Sequence, residues 1–310
     1  MLKARALSLL AAAAFTVACG WWAGPRAAAK RTGLIGVALL TREHGFYREL
    51  EEGLTAEAGK AGLKLAIAYG EFDHERQVGQ IKAFVARKID ALILAPCDST
   101  AVGEIIEQLN QARIPVFTVD IANHSGKGRV VAHIGSDNME GGRQAGRLMA
   151  EALGKKGKVV IINHPRVTSV MDRVAGFREY LRIFPGVTII ADIPAWGQRD
   201  RAMAIMEDLL LMMPDLKGVF AINDDSALGA AKAIEAAGRT GAIKIVGYDG
   251  TPEARRAIDQ GVIYGDVIQY PKEIGQLVVK TMAGYFQGQS VPSFIDRKST
   301  RLNSSHGIIS

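Results

Sequence analysis

The chain has 310 residues, 48% of them hydrophobic, and a formal net charge of +6. That length exceeds what one hydrophobic core usually serves, so two cores are expected. The positive charge does not mark a nucleic-acid binder: eight of the 38 basic residues lie in residues 1–31 and 297–310, which hold no acid, leaving 30 basic against 32 acidic side chains between them, a net of −2.

At the amino end, Lys3 and Arg5 precede an apolar run from Ala6 to Ala18, the pattern of an export signal and linker over residues 1–31. The run is too short to span a membrane by itself. The stretch "FTVAC" places Cys19 where bacterial lipoproteins carry the acylated cysteine, so Cys19 is the candidate lipidation site. Thr16 stands where Leu is usual there, and ordinary cleavage near Ala23 to Ala29 is the alternative. The protein is therefore expected outside the cytoplasm, periplasmic or extracellular, touching the membrane only through such an anchor. In either case Cys97 has no disulfide partner and reads as a small buried filler.

Apolar, strand-like runs follow at Leu34 to Leu40, Leu63 to Ala68, Ala91 to Ala95, Val116 to Val119, Val130 to Ile134, Val159 to Ile162, Val187 to Ile190, Val219 to Ile222, Ile243 to Gly247 and Val262 to Ile268. Most are short, unbroken and β-branched, as strands buried on both faces should be. Between them lie apolar stripes of helical period, such as Val102, Ile105, Ile106 and Leu109, or Phe177, Tyr180, Leu181 and Phe184, or Met206, Leu209, Leu210 and Met213. Alternating strand and helix predicts an α/β fold of doubly wound parallel sheets covered by helices on both faces. The final stretch "RKSTRLNSSHGIIS", residues 297–310, has no clear period and an abrupt change of composition, so it is set apart as a non-native tail.

Such sheets bind ligands beyond the carboxyl ends of their strands, where loops and helix amino termini converge. The candidates there are His44, Phe46 and Tyr47 after the first run, Asp120 and Ile121 after Val116 to Val119, Asn223, Asp224 and Asp225 after Val219 to Ile222, Asp249 after Ile243 to Gly247, and Gln269 at the last run's end. Each has a structural alternative. Asp224 or Asp225 suits a helix N-cap, with Asn223 one step earlier pointing into a cleft. Asp120 and Asp249 suit turns, Phe46 and Tyr47 suit a helix's first apolar contacts, and Arg173 in "TSVMDRVAGF" suits a solvated face. Together they have the make-up that a polyol demands: its hydroxyls donate to carboxylates and accept from amides and guanidinium, while its C–H faces pack on rings.

The blocks "HGFYRELEEG", "IPVFTVD", "HIGSDNMEGG", "DRVAGF", "NDDSALGA", "VGYDGTPEA" and "VIQYPKEIG" resemble, in order, those of the periplasmic ribose- and galactose-binding proteins of bacterial ABC importers, relatives of lac-repressor-type sugar-sensing cores. The likeness runs from about Leu34 to about Pro292. It implies the type I periplasmic binding fold, two lobes joined by a multi-strand hinge, with residues 33–136 and 270–287 in one lobe and 137–269 with 288–296 in the other. It implies that Asp120, Arg173, Asn223, Asp249 and Gln269 bond sugar hydroxyls and that Phe46 and Tyr47 sandwich the ring. Trp196 falls close to another family aromatic. His44 stands where ribose binders carry Asn, and Ile121 where they carry Arg, which points to another pentose, a hexose, or a deoxy or methyl sugar. The implied partners are a monosaccharide and an ABC permease, with a chemoreceptor or sensor kinase as the alternative, and no cofactor. Of enzyme signatures, no G-x-G-x-x-G follows a strand, "GKKGK" is no P-loop and H-E-x-x-H does not occur, so a doubly wound α/β enzyme is the least favoured alternative and no metal site is expected.

Overall fold

The computed structural model describes residues 32–303 and 307–309; the export signal and Cys19 lie outside the described residues. From the amino side come β1 (Leu34–Leu39), α1 (Gly45–Lys60), β2 (Lys64–Tyr69), α2 (His74–Ala86), β3 (Ala91–Leu94), α3 (Gly103–Gln111), β4 (Val116–Val119) and β5 (Ala132–Gly135). Then follow α4 (Asn138–Ala152), β6 (Gly157–Asn163), α5 (Thr168–Leu181), β7 (Val187–Pro194), α6 (Arg199–Met212), β8 (Leu216–Ala221), α7 (Asp224–Ala236), β9 (Lys244–Asp249), α8 (Pro252–Asp259) and β10 (Gly265–Ile268). The chain closes with α9 (Pro271–Phe286), β11 (Phe294–Asp296), β12 (Thr300–Asn303) and β13 (Gly307–Ile309).

Among the described residues these strands form two sheets, in the orders β11-β5-β4-β3-β1-β2 and β13-β12-β10-β9-β8-β6-β7. Pairing is parallel throughout the first sheet and among β6 to β10, as unbroken apolar runs require: β3 and β4 are buried at every position. On the first sheet, Ile81 and Phe84 of α2 and Ile106 of α3 cover one face, while α1 and α9 supply Leu50, Leu54, Ile274 and Val278 to the other core. On the second sheet, Met206, Leu209, Ala230 and Ile258 of α6, α7 and α8 form one core, and Leu148 and Phe177 of α4 and α5 the other. Helix starts are set by capping side chains: Asp73, Asp137 and Thr251 each accept from a backbone N–H of the first turn, and Pro252 follows Thr251 where its missing N–H costs nothing.

Two boundary expectations change. Residues 288–296 were expected with the second lobe, yet β11 pairs in parallel with β5 and belongs to the first sheet. Within the segment 297–310, set apart on composition, residues 300–303 enter the fold: β12 runs antiparallel to β10, with Arg301 and Asn303 buried. Backbone ladders need no hydrophobic period, so a polar strand of four residues can add to a sheet beside its edge. Three crossings thus join the lobes, and they are tied together: Asp137 N donates to Asp296 Oδ1 at 3.0 Å, Arg297 N to Gly135 O at 2.7 Å, and the Tyr270 and Thr300 hydroxyls meet at 2.8 Å.

Candidate functional site

Strand order reverses at β1/β3 in one sheet and at β6/β8 in the other, and the loops leaving these strands face each other across the cleft between the lobes. The central cavity is lined by Leu40, His44, Phe46, Tyr47, Asp120 and Ile121 from the first lobe. His164, Val167, Ser169, Val170, Arg173, Ile222, Asn223 and Asp249 line it from the second.

Arg173 stands at its centre, buried to 4% exposure and far from the solvated face that its place in a helix allowed. The close approach of α4 and α5 puts it there: Gly142 of α4 lies against the Arg173 carbonyl, and any Cβ at that glycine would collide with it. Its Nε donates to Asn138 Oδ1 at 2.9 Å and its NH1 to Ile222 O at 2.8 Å, while its guanidinium carbon lies 3.9 Å from the centroid of the Tyr248 ring. Asp249 Oδ1 is 3.5 Å from NH1, and Asp120 Oδ1, across the cleft, is 3.7 Å from NH2. Burial works against the Arg173 charge, but Asp249, Tyr248 and Asp120 outweigh it and raise its pKa further.

Both acids are more than turn formers. Asp120 adopts φ +59 and Asp249 φ +119, backbone conformations that cost non-glycine residues about 1–3 kcal/mol and gather at ligand clamps. Asp120 Oδ2 accepts from the Tyr47 hydroxyl at 2.6 Å, and Asp249 Oδ1 from Gln269 Nε2 at 2.8 Å. Burial raises the pKa of each, opposed by Arg173, and Asp249 is pushed well above the usual carboxylate range. Asp120 Oδ1 and Gln269 Oε1 make no hydrogen bond among the described residues, so both retain accepting capacity.

Asn223, and neither Asp224 nor Asp225, is the N-cap of α7: its Oδ1 accepts from Ser226 N at 3.0 Å. Its Nδ2 donates to Gly197 O at 3.1 Å and keeps one hydrogen on the cavity side. His44 reaches the same carbonyl from the opposite lobe, Nε2 to Gly197 O at 2.9 Å. Burial lowers the His44 pKa against the pull of Asp225, leaving a neutral ring that donates from Nε2. Further cross-cleft bonds are Ser99 N to Arg166 O at 3.0 Å, Thr168 N to Ser99 Oγ at 3.0 Å and Ala122 N to Thr168 Oγ1 at 2.9 Å, so the lobes are closed on each other.

Of the sequence-derived candidates, His44, Phe46, Tyr47, Asp120, Ile121, Arg173, Asn223 and Asp249 meet around one cavity. Gln269 stands behind it, holding Asp249. Trp196 does not line it: with φ +59 its ring turns outward to the cleft mouth, and Gly197 takes the inner place. The β6–α5 loop was overlooked; His164, Val167, Ser169 and Val170 follow a recognised strand run, and reading past its end, as for the other strands, would have found them.

Closed lobes around a buried arginine and two acids, with aromatic side chains opposite, define a two-lobed solute-binding protein rather than an enzyme. The chain belongs to the periplasmic binding protein domain family, whose model matches residues 35–290. It is 33% identical over 258 residues to the ribose import binding protein of Escherichia coli, covering 83% of this chain and 86% of that one. Among solved structures it resembles an ABC transporter solute-binding protein from Agrobacterium vitis bound with α-D-tagatopyranose, at 30% identity and TM-score 0.83, covering 88% of this chain and 95% of that one. It likewise resembles one from Mycobacterium smegmatis with bound glycerol, at 32% identity and TM-score 0.83, covering 88% and 94%. The expected fold of two α/β lobes is the observed one.

Proposed function

We propose that the chain captures a monosaccharide, a pentose or hexose other than ribose, outside the cytoplasm and delivers it to the permease of an ABC importer. The observation that carries this reading is the set of Arg173, Asp120 and Asp249 facing Phe46 and Tyr47 in one buried cavity. Guanidinium and carboxylates match the donors and acceptors of ring hydroxyls, and each unmatched buried group would cost about 1–3 kcal/mol, so the arrangement selects hydroxyl positions. The aromatic faces suit the C–H side of a sugar ring. Ile121, 1% exposed, makes the wall beside Asp120 apolar, which favours a deoxy or methyl carbon there over a hydroxyl.

Capture then follows from lobe closure. A ligand bonded to Arg173 and Asp249 on one wall and to Asp120 on the other favours the closed state by its extra contacts there, and the permease reads that state. A thermal-shift screen against pentoses, hexoses, deoxy sugars and polyols tests the reading. A ligand at a hundred times its dissociation constant adds about 2.7 kcal/mol of stability. One selective sugar is the expected result; a folded sample that responds to none of them defeats the reading.

A further inference from the structure

Outside the central cavity lies a second, roomier one at the cleft mouth, lined by Phe72, His164, Arg166, Trp196, Gln198 and Arg201. We propose that this mouth is a subsite for an anionic group, a carboxylate or phosphate, carried by the sugar whose ring fills the central cavity. The proposal rests on the sugar-capture reading above and narrows its substrate class.

Three observations carry it. The first is continuity. His164 lines both cavities, and its ring centroid lies 6.2 Å from that of Phe72 and 5.9 Å from that of Trp196. One aromatic residue thus borders both spaces, so an exocyclic group on a ring in the first can extend into the second.

The second is charge. The lining holds two arginines and no carboxylate. Arg201 makes no hydrogen bond or ion pair among the described residues, and the Arg166 guanidinium carbon lies 5.1 Å from the centroid of the Trp196 ring. Asp98, the acid that feels the Arg166 charge, already accepts from Thr100 N, Thr100 Oγ1 and Ala101 N. Two guanidiniums with free donors are the residues that bind carboxylate and phosphate bidentately. Burial, followed by the neighbouring His44 and Arg166, also pushes His164 down to about 4, so the boundary ring is neutral and adds no competing charge of its own.

The third is strain. Phe72 from the first lobe and Trp196 from the second both hold left-handed backbone, φ +63 and φ +59, although neither is glycine. Bulky residues in that region are unfavourable and gather where a ligand clamp fixes them. Both line the mouth with the two arginines, each beside the His164 ring.

Calorimetric titration of the exported chain with matched pairs tests the proposal: D-galactose and D-galacturonate, D-glucose and D-glucuronate, D-ribose and D-ribose 5-phosphate. For a ring that binds, the anionic member should bind about tenfold tighter than its neutral parent, since two partly exposed ion pairs are worth about that much. The Arg166→Gln, Arg201→Gln double variant should lose this preference while the neutral parent's affinity holds. Added salt should weaken the anionic member only. Equal binding of both members, or a preference that survives in the double variant, overturns the subsite and leaves sugar capture standing. If no member binds while the sugar screen above has found a neutral ligand, the subsite alone is overturned; if neither experiment finds a ligand, both readings are.

Discussion

The two walls of the cleft hold their polar groups in different ways. On the second-lobe wall Arg173 is already bonded to Asn138 and Ile222, stacked on Tyr248 and set beside Asp249, which Gln269 holds in turn. On the first-lobe wall Leu40, Phe46, Tyr47 and Ile121 present mostly carbon, with Asp120 as the carboxylate of that lining. One wall is prearranged to orient hydroxyls at little reorganisation cost; the other excludes water and selects by shape. Closure joins them through the Arg173 to Asp120 ion pair and the bond from His44 Nε2 to Gly197 O, among other contacts.

The comparison breaks most severely at Arg173. Arg173→Ala strands two buried acids and should cost about 3–5 kcal/mol of stability, with ligand affinity falling sharply. Denaturant unfolding and calorimetry read both; a loss under about 1 kcal/mol would mean that the wall is not organised by this residue.

Behind the same wall lies a second set of acids. Asp224 and Asp266 are both fully buried and lie against each other, and Asp224 Oδ2 accepts from Thr251 N at 2.6 Å. Burial raises both pKa values, Asp266 to about 7; the Asp266 charge adds to the rise at Asp224, whereas at Asp266 the hydrogen bond with Asp224 opposes the rise and the Asp249 charge adds to it. The folded value thus lies above the unfolded one, near 3.9. Between about pH 4 and pH 7 the unfolded chain releases a proton that the folded protein keeps, so stability falls as pH rises through that window and stays low above it. Asp266→Asn should reduce this slope and add on the order of 2–4 kcal/mol at pH 8, with little change at pH 4. Parallel pH–stability profiles for the two proteins would refute the assignment.

On the first wall, Tyr47→Phe removes the hydrogen bond to Asp120 Oδ2 and should weaken sugar binding and stability by about 1–3 kcal/mol. A smaller loss there than in Arg173→Ala sharpens the contrast between the walls; an equal loss erases it. Asn223→Ala removes the α7 cap and should cost about 1 kcal/mol of stability, with a further loss of affinity from the missing amide. Unchanged affinity would limit Asn223 to its capping role.

Much of this was legible in the sequence. Every strand run found by its apolar, β-branched composition overlaps an observed strand, since strands buried on both faces need such side chains whatever their neighbours are. Asp120, Asp249 and Asn223 were found because ligand groups must follow strand ends in this architecture. Arg173 was visible through family likeness alone, because its burial depends on how closely α5 packs on α4, and a lone arginine in a helix carries no sign of that.

By itself, then, the sequence determined the lobes' strands and helices and the residue types at the strand ends, because periodicity and turn chemistry are local properties. Tertiary structure alone decided that Trp196 turns outward while Gly197 receives both His44 and Asn223, that β11 joins the first sheet and β12 the second, and that Asp224 lies against Asp266. Each of these depends on backbone torsions or on contacts between segments far apart in the chain, which no local pattern of residues encodes.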